Sequence, residues 1–326
     1  MIRADLQEKI EKSYEVLRLA RDISLKYYDK PLIVTDSGGK DSLVLSHLAL
    51  QCLKPDEFEL VNSHTTVDAP ETVYFLREKF AEYRKLGVKC TVQYSYYEDG
   101  SPITMWNMIE KMMFPPTRLL RYCCHYLKET TTPNRIVANG IRKAESSMRK
   151  DRHDFTIRSV DKEGRKELDL DYLKDRISDS ERITSELGGQ HNDVNAYDCV
   201  YVVAAKENKD LMCNPILEWT DKDVWEYIRE NKLKYNPLYD VGWKRVGCVG
   251  CSMARSEQRR GFAEYPKYKE AYIRAFDRML ERRREKGLPI REEWTDGEGV
   301  FRWWTQERER ECVGQTTLED FFNDPM

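Results

Sequence analysis

The sequence Pro-Leu-Ile-Val-Thr-Asp-Ser-Gly-Gly-Lys-Asp-Ser-Leu-Val-Leu-Ser-His spans residues 31–47 and decides the fold. An apolar run at residues 32–34 is followed by a polar loop at residues 37–42 and by a second apolar run at residues 43–50. This order predicts a strand, a glycine loop and a helix. Two glycines let the backbone turn tightly and approach a ligand, and the N–H groups that begin a helix attract an anion. The stretch therefore predicts an anion-binding loop.

The side chains of this loop also suit an anion. Lys40 supplies a point charge, and Ser37 and Ser42 supply hydroxyl donors. Asp41 is the exception, since a carboxylate beside a phosphate indicates a bound metal ion or a helix cap. The spacing does not match a Walker loop or a dinucleotide-binding Gly-x-Gly-x-x-Gly.

Composition limits the class of protein. The 326 residues are 40% hydrophobic and 34% charged, and the formal net charge is −3, so no overall attraction to nucleic acid is expected. No apolar run approaches the ~18 residues of a membrane span, and the start at Met1 is not typical of a signal peptide. The nine cysteines then favour a reducing compartment. We expect a cytoplasmic protein with no membrane partner, in which clustered cysteines serve metal or redox chemistry.

Apolar runs at helical and at strand spacing alternate along the first half of the chain. They predict helices over residues 6–28 and from Pro70, and strands over residues 58–64, 88–97 and 135–142. Such alternation indicates an α/β fold with a doubly wound, mainly parallel sheet covered by helices on both faces.

The chain is predicted to contain two domains. A nucleotide-binding α/β domain covers residues 1–214, and a smaller, mainly helical region with the Cys-x-x-Cys covers residues 215–326. Residues 147–195 are densely charged and are interpreted as an insertion with a helix at residues 168–187. An apolar strand pattern returns at residues 198–204.

Four of the cysteines occur in two pairs. Cys123 and Cys124 are adjacent, and Cys248 and Cys251 form Cys-Val-Gly-Cys. Two such pairs, far apart in sequence, can converge on one metal site. Three interpretations stay open, namely a 4Fe–4S cluster, a zinc ion, or no metal with Cys124 redox-active. We interpret His125 as structural rather than as a ligand.

A second basic element follows the strand predicted at residues 135–142. Gly140 opens a turn, and the guanidinium groups of Arg142 and Arg149 can each hold phosphate through two N–H groups. The alternative is a solvated basic helix start. Residues 255–284 are also rich in Arg and Lys, and they are interpreted either as a surface for DNA or a protein partner or as a solvated helical face.

These motifs resemble those of the N-type ATP pyrophosphatases and the PAPS reductases. Ser-Gly-Gly-Lys-Asp-Ser resembles their pyrophosphate loop (PP-loop), and Gly-Ile-Arg…Ser…Arg resembles a phosphate-binding element. His-Thr-Thr-Val-Asp-Ala-Pro-Glu-Thr resembles the adenosine-site segment, although the acid lies closer to Pro-Glu-Thr than is usual. The resemblance implies an adenine-nucleotide alpha-hydrolase-like fold and an ATP site at Ser37, Gly38, Gly39, Lys40, Asp41, Ser42, Asp68, Gly140, Arg142 and Ser146. It implies catalytic roles for Lys40, Asp41, Arg142 and Arg149, and a 4Fe–4S cluster on Cys123, Cys124, Cys248 and Cys251.

Within this family the chain looks most similar to the DndC-like or SspD-like proteins of DNA phosphorothioation. The stretches that carry this likeness are Pro-Pro-Thr-Arg…Arg-Tyr-Cys-Cys…Leu-Lys and Leu-Tyr-Asp-Val-Gly…Arg-Val-Gly-Cys-Val-Gly-Cys, and the complete loop favours splitting of ATP. That resemblance implies Mg²⁺-assisted splitting of ATP, adenylation of an acceptor, and sulfur supplied by a cysteine desulfurase or another donor. Glu311-Cys312 echoes the tail of the thioredoxin-linked APS and PAPS reductases, so sulfite formation is the alternative. A non-catalytic nucleotide- and cluster-binding subunit is the third interpretation. The acceptor (DNA, tRNA or a small molecule) and a homodimeric assembly stay open.

Overall fold

The computed structural model describes residues 2–118, 120–129, 132, 135–145, 149, 152–158, 166–168, 210–254 and 256–305. The chain divides into two compact units. The first unit comprises Met1–Asn62, Glu71–Gln93 and Thr132–Gly242, and the second comprises Ser63–Pro70, Tyr94–Thr131 and Trp243–Met326. This division differs from the predicted domains, because each unit consists of three separate segments of the chain. Residues 215–242, predicted to lie in the C-terminal region, belong to the first unit.

The strands of the described residues are β1 Leu32–Thr35, β2 Phe58–Ser63, β3 Lys89–Gln93, β4 Ile136–Ala138, β5 Phe155–Arg158, β6 Lys166–Leu168 and β7 Asp210–Cys213. They form one sheet of order β3-β2-β1-β4-β7-β5-β6 in the first unit. β1 pairs in parallel with β2 and β4, and β4 pairs in parallel with β7. β5 pairs antiparallel with β7 and β6. The predicted α/β class with a mainly parallel sheet is confirmed.

The helices begin close to where sequence signals place them. The predicted helix start at Pro70 is confirmed. Thr220 and Asp223 form a capping box at the start of another helix. The helices are α1 Ala4–Tyr28, α2 Lys40–Cys52, α3 Pro70–Lys85, α4 Met105–Met112, α5 Tyr122–Cys124, α6 Asp221–Glu230, α7 Ser256–Glu264, α8 Pro266–Glu285 and α9 Gly297–Thr305. A π-helical turn, His125–Glu129, continues α5, and 3-10 turns occupy Lys143–Glu145 and Pro237–Tyr239.

The core of the first unit lies on the sheet. Leu32 and Val34 of β1 are buried together with Leu17 of α1 and Leu45 and Leu48 of α2. Apolar residues on a helix stripe and on a central strand are removed from water together, which stabilises the layered arrangement. Burial of β1 on both faces fixes the position of the loop that follows it.

The charged insertion is only partly described. Leu168 ends β6 and pairs with Phe155 of β5, so the helix predicted over residues 168–187 does not begin at Leu168. Leu168 is a strand residue because β6 pairs antiparallel with β5 at the edge of the sheet. The rest of that predicted helix and the strand predicted at residues 198–204 lie outside the described residues. Among the helices of the described ranges, none is long and apolar enough to cross a membrane.

Candidate active site

The phosphate-type loop lies between β1 and α2, as predicted. Gly38 has φ +75°, and a Cβ placed there would meet Thr72 Cγ2 at 2.7 Å, so both backbone conformation and space demand glycine. Gly39 is the N-cap of α2 and supplies no side-chain cap. The first turn of a helix leaves its N–H groups without intrahelical partners, and these groups with the helix dipole favour an anion.

A buried carboxylate organises this loop from behind. Asp36 Oδ1 accepts hydrogen bonds from the Gly38 N–H at 3.0 Å and from Ser42 Oγ at 3.2 Å. Its other oxygen, Oδ2, accepts one from Lys79 Nζ at 2.5 Å. Neither Asp36 nor Lys79 was predicted as a site residue. An acid that directly follows a buried strand is the sequence signal that could have identified Asp36.

Two cations and two carboxylates meet at the start of α2. Arg142 Nε lies 2.8 Å from Asp41 Oδ1, and Arg142 Nη2 donates to Asp221 Oδ1 at 2.6 Å. Lys40 Nζ lies 3.4 Å from Asp41 Oδ2 and 3.4 Å from Asp221 Oδ1. The structure thus brings together the predicted residues Lys40, Asp41 and Arg142 and adds Asp221. Burial alone would raise the pKa of Asp221, but Arg142 and Lys40 hold it below its ordinary value.

The sheet topology explains why Arg142 reaches this loop. β1 and β4 are parallel neighbours, so the loops that follow them leave the same edge of the sheet. In open α/β sheets the crevice at this edge, where the chain turns to opposite sides, is the usual ligand site. A Cβ on Gly140 would lie 3.2 Å from backbone atoms of Asp41 and Ser42, so glycine permits the close approach of the two loops.

A turn that sequence reasoning assigned to the C-terminal region packs on the loop. The Lys40 N–H donates to Tyr239 Oη at 3.0 Å. Asn236 Nδ2 donates to the Gly38 carbonyl oxygen at 3.1 Å and to Thr72 Oγ1 at 3.0 Å. These contacts place residues 236–239 in the first unit. No sequence pattern predicts their contact with a glycine loop about 200 positions earlier.

Three further predicted ligand or catalytic residues are Arg149, Asp68 and Ser146. Arg149 forms an ion pair with Glu145. Asp68 belongs to the second unit, where its backbone forms an antiparallel bridge with Cys248. Ser146 lies outside the described residues. The nucleotide roles assigned to Arg149, Asp68 and Ser146 stay predictions.

All four paired cysteines line one cavity in the second unit, as expected of convergent pairs. Each is partly buried. The π-helical turn after Cys124 places Lys128 on the same cavity, and π-helical turns frequently mark functional sites. The remaining lining comes from Thr65, Met105, Pro116, Thr117, Arg121, Leu127, Gly250, Ser252, Met253 and Tyr272.

The charges around this cavity favour thiolate at one cysteine. Hydrogen bonding from Cys123 lowers the pKa of Cys124 to about 5 against the effect of burial, and Arg121 and Lys128 contribute in the same direction. Arg121 Nη2 donates to Cys124 Sγ at 3.6 Å. The hydrogen bond with Cys124 raises the pKa of Cys123, and burial raises this pKa further. Burial raises the pKa of Cys248 although Lys128 lies nearby, and the electrostatic interaction with this sulfur raises the pKa of Lys128.

The donor set fits a thiolate-ligated cluster. Four thiols line one cavity, and cations that stabilise anionic sulfur stand beside them. Within the described parts of the chain, no three His, Cys, Asp or Glu side chains are placed to bind a single metal ion. Four thiol donors are also the ligand set of structural zinc sites, so the residues fit either a cluster or a zinc ion.

Comparison with known proteins gives a family. Residues 31–254 match the phosphoadenosine phosphosulfate reductase domain. An uncharacterized protein of Methanocaldococcus jannaschii is 24% identical over 283 residues, which are 85% of this chain and 53% of that protein. The adenosine 5'-phosphosulfate reductase of Oceanobacillus iheyensis is 43% identical over 49 residues, which are 15% of this chain and 20% of that enzyme. The chain thus spans about half or less of the length of these relatives.

Among solved structures, the chain is similar to a phosphoadenylyl-sulfate (PAPS) reductase from Candida auris determined as a phosphate complex. The sequence identity is 16% and the TM-score is 0.39, with 76% of this chain and 96% of that chain covered.

Proposed function

Because this chain belongs to the phosphoadenosine phosphosulfate reductase domain family, we propose that its first unit binds ATP and splits it into AMP and pyrophosphate. One observation carries the proposal. The complete loop at residues 37–42 leads into a helix N-terminus with no side-chain cap, and Lys40 and Arg142 stand beside that terminus. A pyrophosphate group needs several N–H donors and two cations, and this arrangement supplies both.

In the proposed reaction an oxygen of the acceptor, a phosphate oxygen if the acceptor is DNA, attacks the α-phosphorus of ATP. The bond from phosphorus to the bridging oxygen breaks, and pyrophosphate leaves with the electron pair. Lys40 and Arg142 stabilise the negative charge that develops on the leaving group, and positioning with charge neutralisation is the main catalytic effect in phosphoryl chemistry. Asp41 and Asp221 hold the two cations in place through the ion pairs described above.

Mg²⁺ fits this site as a companion of the nucleotide. Magnesium in phosphate sites is held by one or two carboxylates together with phosphate oxygens, and Asp41 and Asp221 are the carboxylates present. Bound there, the ion would neutralise phosphate charge.

The second proposed step replaces AMP by sulfur. The terminal sulfur of a persulfide on a partner such as a cysteine desulfurase attacks the adenylated acceptor, and AMP leaves with the electron pair. A second thiol then attacks the inner sulfur of the resulting disulfide, which leaves the terminal sulfur on the acceptor and forms a new disulfide between the two thiols. A 4Fe–4S cluster held by Cys123, Cys124, Cys248 and Cys251 would supply a place to bind sulfur, and the shared cavity and its cations support this assignment. We propose DNA phosphorothioation as the pathway and the cytoplasm as its compartment, on the resemblance to the DndC-like branch.

One observation favours a second candidate, reduction of APS or PAPS to sulfite. It is the 43% identity over 49 residues to an adenosine 5'-phosphosulfate reductase. That reaction requires a thiol reductant such as thioredoxin and no splitting of ATP. Its candidate nucleophile, Cys312, lies outside the described residues.

The deciding experiment incubates anaerobically purified protein with ATP, APS or PAPS and measures pyrophosphate and sulfite. We expect pyrophosphate from ATP, and we expect Lys40→Ala to lower its release at least about a hundredfold, since one electrostatic group contributes this much in comparable sites. Lys234→Ala is the matched control, because Lys234 is an exposed lysine of the same unit paired with Glu78. Wild-type release by Lys40→Ala, or sulfite as the only product, would contradict the proposal.

The acceptor is identified with ATP labelled at its α-phosphorus. Duplex DNA, tRNA and small-molecule thiol precursors are offered in parallel, and the labelled macromolecule is isolated before sulfur donor is added. Label on DNA supports phosphorothioation, whereas label on tRNA would transfer the proposal to RNA thiolation. Absence of label and of both products would support the non-catalytic subunit.

A further inference from the structure

A buried ion pair lies directly behind the phosphate loop. Lys79 Nζ donates to Asp36 Oδ2 at 2.5 Å and to Ser46 Oγ at 2.5 Å. Asp36 is 1% exposed and Lys79 is 5% exposed. Burial of two charges costs much of what their attraction returns, and an apolar pair of similar volume often stabilises a fold as well. The pair therefore calls for an explanation other than stability of the core.

The lysine comes from a helix that already supports the loop. Thr72, Leu76 and Lys79 are spaced by four and three residues, so they share one face of α3. Thr72 and Leu76 are the side chains that a Cβ on Gly38 would meet first. Lys79 extends this face by one turn and brings its ammonium to the acid that precedes the loop.

Asp36 is held through its backbone as well as through its carboxylate. The Asp36 N–H donates to the Val61 carbonyl oxygen at 2.9 Å, and the Asp36 carbonyl oxygen accepts from Asn62 Nδ2 at 2.7 Å. Its Oδ1 takes the Gly38 N–H and the Ser42 hydroxyl, so the carboxylate sets the curvature of the loop. A lone buried carboxylate at this position would, however, repel any anion bound in front of the loop.

We infer that Lys79 is a positioning residue of the phosphate loop, which fixes Asp36 against Gly38 and cancels the negative charge of Asp36 behind the bound anion. The inference rests on the proposed function in one respect, that the ligand of the loop is a pyrophosphate group. It assigns to α3 a part in anion binding that no motif in the loop itself encodes.

Three variants separate this role from support of the core. Lys79→Met leaves the carboxylate uncompensated, and we expect binding of inorganic pyrophosphate to weaken about tenfold through repulsion across a partly buried path. Asp36→Asn removes the negative charge and keeps an oxygen that accepts from Gly38, so binding is expected to equal or exceed that of wild type. The double variant restores a neutral pair and is expected to bind within about threefold of wild type.

The measurement is calorimetric titration of the full chain with inorganic pyrophosphate, together with amide hydrogen exchange of Gly38. Lys79→Met is expected to speed exchange of this amide, because its acceptor is no longer held. Glu59→Gln is the matched control, since Glu59 is a buried carboxylate paired with Arg135 at 2.6 Å on β2. It should lower stability without changing pyrophosphate affinity or Gly38 exchange.

The inference is tested by comparing how Lys79→Met and Asp36→Asn change the affinity for pyrophosphate. If Asp36→Asn weakens pyrophosphate binding as much as Lys79→Met does, or if Glu59→Gln weakens it equally, the pair is a structural element only and the inference is overturned. A wild type that binds pyrophosphate with the expected variant pattern but releases none from ATP overturns the proposed function and leaves this inference standing. A wild type that binds neither pyrophosphate nor ATP overturns both.

Discussion

Arg142 Nε lies 2.8 Å from Asp41 Oδ1, and Arg142 Nη2 lies 2.6 Å from Oδ1 of its other acid partner, Asp221, which is 79 positions further along the chain. Arg142 is only 2% exposed, so its charge is balanced inside the protein rather than by water. The two acids hold a guanidinium ready beside the N-terminus of α2. This relationship is the structural basis of the first prediction.

Replacement of Arg142 by Met should abolish most pyrophosphate release and lower the free energy of unfolding. Loss of a partner from a buried ion pair leaves Asp41 uncompensated, and we expect a cost of about 2 kcal/mol, less than for a fully buried pair because Asp221 is exposed. Arg142→Lys keeps the charge but not the two-pronged geometry, so it should retain stability better than activity. Urea unfolding and kcat/KM for ATP measure the two effects, and equal activity of Met and Lys variants would contradict this account.

Gly38→Ala tests the close packing of the loop on α3. Both Gly38 and Gly100 have positive φ values, +75° and +80°, but a Cβ meets Thr72 at 2.7 Å only at Gly38 and meets nothing within 4 Å at Gly100. Alanine at Gly100 should cost about 1 kcal/mol from backbone strain alone. Alanine at Gly38 should cost about 1–3 kcal/mol more from the added clash and should weaken ATP binding. Thermal unfolding of the two variants compares them directly, and equal losses would show that the contact with Thr72 is not tight.

His47 should make stability depend on pH. Burial and the nearby charge of Lys79 lower the pKa of His47 to about 4, and its Nδ1 lies 2.9 Å from Tyr227 Oη. The unfolded state binds a proton below its ordinary pKa of about 6.5, while the folded state binds one only near 4. Stability is therefore complete above pH ~6.5 and falls as the pH drops toward ~4, by about 2 kcal/mol.

The matching variant is His47→Gln, which keeps a hydrogen-bonding group near Tyr227 and does not titrate. Its stability should change less than that of wild type across the same interval. Urea unfolding at several pH values measures both proteins. Parallel curves would mean that His47 is already charged in the folded state.

Cys248→Ser should remove bound iron and sulfide from anaerobically prepared protein. Cys248 lines the cavity with the other three paired cysteines, whereas Cys90 is a buried cysteine of β3 in the first unit. Burial raises the pKa of Cys90 to about 11, which is typical of an inert core thiol. Cys90→Ser should accordingly keep the metal content. A broad visible absorbance band with matching iron and sulfide analysis tests the cluster, and a colourless protein with stoichiometric zinc would contradict it.

Much of the first unit could be predicted from local patterns. The strand at residues 32–34 and the helix start at Pro70 depend on neighbours within a few residues, and the structure confirms both. The convergence of the two cysteine pairs was predicted from residue type and spacing, and they line one cavity. Such signals are readable because the interactions behind them are local or, for the cysteines, chemically uncommon.

Contacts between distant segments could not be predicted in the same way. Asp221, Asn236 and Tyr239 join the loop from a region interpreted as a separate C-terminal part. Asp68 pairs through its backbone with Cys248 in the second unit, a contact that no sequence pattern indicates. Composition does not indicate which unit a segment joins, because each segment has the ordinary pattern of a helix, strand or turn.

By itself, the sequence determined a strand, a glycine loop and a helix in this order, which is the local form of a proposed anion site, because glycine freedom and unpaired helix N–H groups are local properties. It also determined the α/β class, since alternating strands and helices bury their apolar faces in only a few ways. Tertiary structure alone decided which charges surround that site. The parallel pairing of β1 with β4 delivers Arg142, and the packing of α3 delivers Lys79 to Asp36. Electrostatic forces act through space, so their partners are chosen by the fold and not by position along the chain.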